Sequence, residues 1–155
     1  MTQYETFKIK INSKDIIKKL NELADKTGNL KPLLRVVRQS LLTYIDDNFD
    51  TEGKASGEKW EELSPKYLEQ KIKKVKINKI LQFGGDLRTS FTSKINDSSL
   101  IIGTAKEYAA VHNFGYDEKN IPQREFMRFS DAQLGDVLAE LEYYYLKNFK
   151  YITKG

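Results

Sequence analysis

The sequence predicts an α+β fold: a small antiparallel β-sheet packed against a long helix and a C-terminal helix. Three patterns lead there. Phe7, Ile9 and Ile11 alternate with Lys8 and Lys10; apolar residues recur at helical spacing over three stretches; and Asn96-Asp97-Ser98-Ser99 forms a turn cluster between two β-compatible runs. At 155 residues the chain has the usual size of one domain, and residues 1–155 are read as one.

In order, the chain opens with the Phe7 to Ile11 strand. Ser13 then offers an N-cap to an amphipathic helix carrying Ile16, Ile17, Leu20, Leu23 and Ala24, and Gly28 supplies its stop. After Lys31-Pro32, the stripe Leu33, Leu34, Val37, Leu41, Tyr44, Ile45, Phe49 predicts the long helix. Asp50 to Lys59 mixes Gly53, Ala55, Ser56 and Gly57 with charges and holds no apolar anchor, so it is expected to be an exposed, flexible loop. Ser64-Pro65 places a capping hydroxyl before a proline and starts a short helix. Its continuation to Lys79 is the most basic part of the chain, with flexibility expected over Lys71 to Lys79.

Beyond Gly84-Gly85, Leu87 to Ile95 and Leu100 to Ile102 predict an antiparallel hairpin. Tyr108 to Phe114 reads as one or two helical turns ending at Gly115, and Ile121 to Phe129 as a further strand of the sheet, with Phe126 and Phe129 as anchors. Ser130 and Gln133 stand at capping-box spacing before a terminal helix through Leu134, Val137, Leu138, Leu141 and Tyr145.

Composition narrows the function. The chain carries 26 Lys+Arg against 22 Asp+Glu, a formal charge of +4, which is mildly basic; 39% hydrophobic and 12% aromatic content is that of a folded domain. With no cysteine there is no disulfide framework, thiolate zinc site, iron–sulfur cluster or cysteine nucleophile. No run approaches the ~20 apolar residues of a membrane span, so a soluble protein without a membrane partner is expected. His112 is the only histidine and lies among Ala109, Ala110, Val111 and Phe114, which suits packing or capping better than catalysis or metal binding. Neither a nucleophile elbow nor a phosphate-binding glycine loop is present, and no cofactor is expected. The lysines between Lys66 and Lys79 suit counterion release from a nucleic acid, but the interleaved Ile72, Val75 and Ile77 make no stacking platform, and a solvated face explains them as well.

The ordered motifs carry more. Trp60-x-x-Leu63-Ser64-Pro65, Lys79-Ile80-Leu81 leading to Gly85-x-Leu87-Arg88-x-Ser90, Ile102-Gly103-Thr104, Tyr108-Ala109-Ala110-Val111-His112-x-Phe114-Gly115 and Ile121-Pro122-x-Arg124-x-Phe126 together resemble the phage virion morphogenesis family, which includes tail-completion proteins of Mu-like phages. The resemblance spans about Phe7 to Leu146; Glu125, where the family commonly has proline, and Phe83, where a small or polar residue is usual, depart from it.

It implies a structural, non-enzymatic phage or prophage protein that completes the tail or joins head to tail. Assembly in the host cytoplasm would leave it as a ring at the neck or tail end, against tail-tube or head-connector proteins. Trp60, Leu63, Gly85, Tyr108, His112, Gly115 and Phe126 are then read as scaffold. Lys73 and Lys74 on one surface, Glu140 and Glu142 on another, and Arg88 and Arg124 are the candidate ring contacts, each arginine being either solvated or paired with a neighbour's carboxylate. The alternative is a small nucleic-acid-binding module using Lys66 to Lys79.

Overall fold

A computed structural model of the chain describes residues 13–76, 79–82 and 85–149. Seven elements carry it: α1 (Lys14–Thr27), α2 (Lys31–Thr51), α3 (Pro65–Val75), β1 (Phe91–Ile95), β2 (Leu100–Thr104), α4 (Ala109–Phe114) and α5 (Asp131–Phe149), with short 3-10 turns at Lys54–Ser56 and Asp117–Lys119. The strand expected at Phe7 to Ile11 lies outside the described residues.

The helix boundaries follow from local chemistry. The Ser13 hydroxyl accepts from the Ile16 amide at 3.3 Å, and Gly28, at φ 76°, closes α1 by donating to the Ala24 carbonyl. The Ser64 hydroxyl accepts from the Tyr67 amide at the start of α3. Ser130 and Gln133 form the reciprocal capping box of α5, their side chains and amides meeting at 2.9 and 3.1 Å.

α2 is the centre of the packing. It lies against α1 and α5 as well as against both strands. Leu33, Val37, Leu41, Ile45 and Phe49 line its buried stripe, and Val137, Leu141 and Tyr145 line that of α5. A salt bridge and a cation–π contact tie the helices at their margins: Lys19 on α1 reaches Glu142 on α5 at 3.1 Å, and the Lys26 ammonium sits over the Tyr145 ring. At the far end of α2, Phe49, Trp60, Phe91 and Phe126 form an aromatic cluster with ring centroids 5.4 to 6.1 Å apart.

The structure corrects the sequence reading at three places. The hairpin pairs Phe91 with Thr104 through Ile95 with Leu100, so its first strand begins four residues after Leu87, which is a buried core residue in a turn. Ile121 to Phe129 is not a strand: Ile121 makes one isolated bridge with Tyr116, and the chain then runs irregularly to the start of α5. Pro122 cannot donate to a ladder, and several backbone groups that a neighbouring strand would satisfy are taken by side chains and by the His112 carbonyl instead.

The third correction concerns Asp50 to Lys59, which is not uniformly exposed. Ser56 is 2% exposed, its hydroxyl donates to the Gly53 carbonyl, and the Trp60 amide donates back to Glu52 at 2.8 Å. Gly53 has φ 90°, and a Cβ there would stand 2.2 Å from the Glu58 carbonyl oxygen and 2.5 Å from the Trp60 ring, so glycine is required on both counts. The apolar anchor is Trp60, just beyond the segment read as anchorless.

Candidate functional site

The motif residues sort into two neighbouring structures, a buried clamp and an open cleft. The clamp holds residues 124–128. The Asn113 carboxamide oxygen accepts from the Phe126 and Met127 amides, both at 3.1 Å. From α2, the Asn48 amide donates to the carbonyls of Phe126 and Arg128 at 2.9 and 3.0 Å. The Trp60 indole donates to the Glu125 carbonyl at 3.1 Å, and the Arg124 amide donates to the His112 carbonyl at 2.8 Å. An irregular stretch can be buried here because its polar backbone is satisfied from α2, α4 and the loop before α3.

Beside the clamp lies a cleft of about 680 Å³. Leu63, Ser64 and Tyr67 line it from the start of α3, Tyr108 and His112 from α4, and Ile121, Pro122 and Arg124 from the irregular segment. With Leu81 and Leu87 also in its wall, four of the five motifs meet at one surface. Its deepest polar groups are cationic. Arg124 is 6% exposed and donates to the backbone carbonyls of Glu61 and Glu62 at 2.8 and 3.3 Å, while Lys71 is 2% exposed and donates to the Lys79 carbonyl. Burial pulls the Lys71 ammonium below the usual lysine value, opposed by Glu52 and reinforced by Arg124. Exposed Glu61, Glu62 and Asp86 stand around the opening.

His112 is half-buried, with its Nδ1 enclosed and without a hydrogen-bond partner, and its ring meets Tyr108 edge-on. Burial, followed by the Arg124 charge, lowers its pKa. The imidazole therefore packs as the neutral form. Ser64 is committed to capping α3, and among the described residues no group of three His, Cys, Asp or Glu could hold a metal ion. No helix among the described residues is long and apolar enough to cross a membrane.

The remaining candidates lie elsewhere. Gly85 (φ 76°) opens the turn before β1 and accepts from Thr89, and Gly115 (φ 79°) closes α4 where a Cβ would press on the Gln123 amide at 3.0 Å. Trp60 and Phe126 are in the aromatic cluster. Neither arginine is solvated at the surface: Arg88 grips Asp46 of α2 through two bonds of 2.6 and 2.9 Å, and Arg124 is inside the cleft. Lys73 and Lys74 are exposed on α3, Lys73 with Glu69 at 3.1 Å. Glu140 is exposed on α5, while Glu142 is engaged with Lys19.

Sequence reasoning missed Asn48, Asn113 and Lys71. Asn48 interrupts the apolar stripe of α2 one residue before Phe49, and Lys71 falls between Leu68 and Val75 on the inward side of α3; a polar residue at a core position was the available signal in both.

Comparison with known proteins supplies the identity. The model of the phage virion morphogenesis family matches residues 11–144. Mu-like prophage FluMu G protein 2 of Haemophilus influenzae is 27% identical over 139 residues, 86% of this chain and 91% of the relative. Mu-like prophage FluMu G protein 1 of the same organism is 29% identical over 80% of this chain and 82% of its own length. An uncharacterised protein of Methanocaldococcus jannaschii is 31% identical over 63% of this chain and 76% of its own length. No solved structure matches. The chain, matched from just before α1 to near the end of α5, belongs to the phage virion morphogenesis family.

Proposed function

We propose that the protein is a non-enzymatic subunit of a ring that completes the phage tail or joins it to the head, assembled in the host cytoplasm and retained at the neck or tail end. The observation that carries this reading is the family match over residues 11–144. The structure adds surfaces suited to it. A heterologous ring needs two different complementary faces on each subunit. Exposed Lys66, Lys73, Lys74 and Lys76 lie on or just beyond α3, and exposed Asp131, Asp136 and Glu140 lie on α5, which packs on α1 and α2. The cleft beside α3 offers a concave face next to the basic one.

Reversing Lys73 and Lys74 to glutamate tests the contact. Infectious particles are expected to fall while the purified variant keeps its unfolding midpoint. Glu140→Lys is expected to restore particles in part; it is a cleaner compensation than Glu142→Lys, which also removes the Lys19 pair. Unchanged particle yield with both lysines reversed would remove them from the ring contact.

The exposed lysines of α3 also favour a second reading, a nucleic-acid-binding module. Lys71, however, is turned inward, and Lys79 donates to the Asp50 carbonyl at 2.7 Å, which leaves fewer lysines free for phosphates. Titration against duplex and single-stranded DNA across salt concentrations separates the readings: weak binding at physiological salt fits the ring subunit, and tight binding with a steep salt slope fits the module.

A further inference from the structure

Charge in the cleft beside α3 is arranged in two tiers. At depth, Arg124 and Lys71 are 6% and 2% exposed, and each donates only to backbone carbonyls; neither has a carboxylate at ion-pair distance among the described residues. Cations this deeply buried are ordinarily paired with an acid, because a carbonyl dipole offsets only part of the hydration lost.

The Arg124 guanidinium shows where the missing anion fits. Its side-on edge is spent, Nε on the Glu61 carbonyl at 2.8 Å and Nη2 on the Glu62 carbonyl at 3.3 Å. Nη1 makes no hydrogen bond among the described residues and, unlike His112 Nδ1, is not enclosed. Nη1 and the second N–H of Nη2 form the end-on pair of donors, whose spacing a planar carboxylate accepts in two parallel bonds. Arg124 lines the cleft, so this edge is open to what enters it.

The surroundings narrow the ligand. Leu63, Leu81, Leu87, Ile121 and Pro122 give the wall an apolar character, and Glu61, Glu62 and Asp86 are exposed around the opening. A chain of phosphates would meet those acids at the rim, whereas a single carboxylate on an apolar stem with basic neighbours suits both tiers. We propose that the cleft is a binding site for a protein segment that places one aspartate or glutamate carboxylate on Arg124, with apolar residues on either side of it and basic residues against Glu61, Glu62 and Asp86. That the segment comes from a neighbouring protein of the particle rests on the assembly reading; the site itself does not.

His112 is the only histidine and lines the cleft, so its imidazole NMR signals report occupancy without overlap. Capped peptides of the pattern Lys-apolar-Glu-apolar-Lys, pooled over Leu, Ile, Phe and Tyr at the apolar positions, are titrated into the full chain beside the same pool with Gln in place of Glu. The His112 signals should shift and saturate with the Glu pool, and the Gln pool should bind about tenfold more weakly. Arg124→Lys keeps the charge but loses the fork, and should weaken the Glu pool about tenfold while leaving the Gln pool unchanged. Glu61→Gln with Glu62→Gln alters exposed side chains only, which keeps the proposal testable should Arg124→Lys unfold, and should weaken the Lys-flanked Glu pool about threefold. Equal binding of the two pools, no saturable shift, or wild-type affinities in both variants overturn the proposal. Tighter binding of inorganic phosphate or of a single-stranded DNA oligomer than of the Glu pool also overturns it, by assigning the cations to phosphate. Failure here leaves the ring assignment intact, since that assignment is decided by whether the chain is found in the particle.

Discussion

The helical layer and the clamped segment both bury core residues, among them Leu41 and Val137 in the one and Phe126 and Met127 in the other, but they are built on opposite principles. α1, α2 and α5 satisfy their own backbones and need only an apolar stripe, supplied by residues such as Val37, Leu41, Val137 and Leu141. Residues 124–128 form no ladder; the amides of Arg124, Phe126 and Met127 and the carbonyls of Glu125, Phe126 and Arg128 are taken by the His112 carbonyl and by the side chains of Asn113, Trp60 and Asn48. A helix of this kind tolerates one lost methylene; the clamp does not tolerate one lost amide, because its partners have no water to turn to.

The sharpest way to break this difference is Asn113→Leu. It strands two buried amides at once, and a loss of about 2–5 kcal/mol in denaturant unfolding is expected. Val137→Ala, which leaves the helix backbone intact, should cost less, about 1–2.5 kcal/mol. If the asparagine variant proves the milder of the two, the clamp is not what holds residues 124–128. Asn48→Leu should cost about 1–3 kcal/mol. Combined with Asn113→Leu, it should cost less than the sum, because both side chains hold one segment and the first loss already frees it. Strict additivity would mean that each fixes its own residues independently.

Two smaller effects depend on pH. Since burial lowers the His112 pKa, the unfolded chain takes up a proton more readily than the folded one. Stability from this group is complete above its unfolded value of about 6.5 and declines as pH falls from there through the lower folded value. His112→Gln should flatten that decline, measured as unfolding midpoint between pH about 7 and 5. Asp46 behaves similarly at lower pH: its hydrogen bond to Arg88 lowers its pKa, so the pair stabilises above the usual aspartate value near 4 and is lost below it. The carboxylate is mostly in solvent, so Arg88→Gln should cost under about 1 kcal/mol at neutral pH.

The same contrast explains what could be read from the sequence. Ser13, Gly28, Ser64, Ser130 and Gln133 announce helix ends because capping is local, involving residues three or four apart. Asn48 acts on carbonyls 78 and 80 residues away, and no periodicity carries that information. Ile121 to Phe129 was legible as buried through Phe126 but not as irregular, since an apolar run shows that a segment goes inside and not who takes its hydrogen bonds. The cleft was not legible: Leu63, Tyr108 and His112 were singled out by the motifs but read as scaffold, and their convergence on one opening, like the inward turn of Lys71, emerged only once α3 and α4 were placed.

The functional account rests on this chain being a built-in part of the particle. Quantitative mass spectrometry of purified virions, referenced to a tail protein of known copy number, tests that most directly. A ring subunit predicts a fixed, low stoichiometry, about six copies per particle if the ring matches a six-fold tail tube. Absence of the chain from mature particles that nevertheless require it for assembly would contradict a ring retained at the neck or tail end.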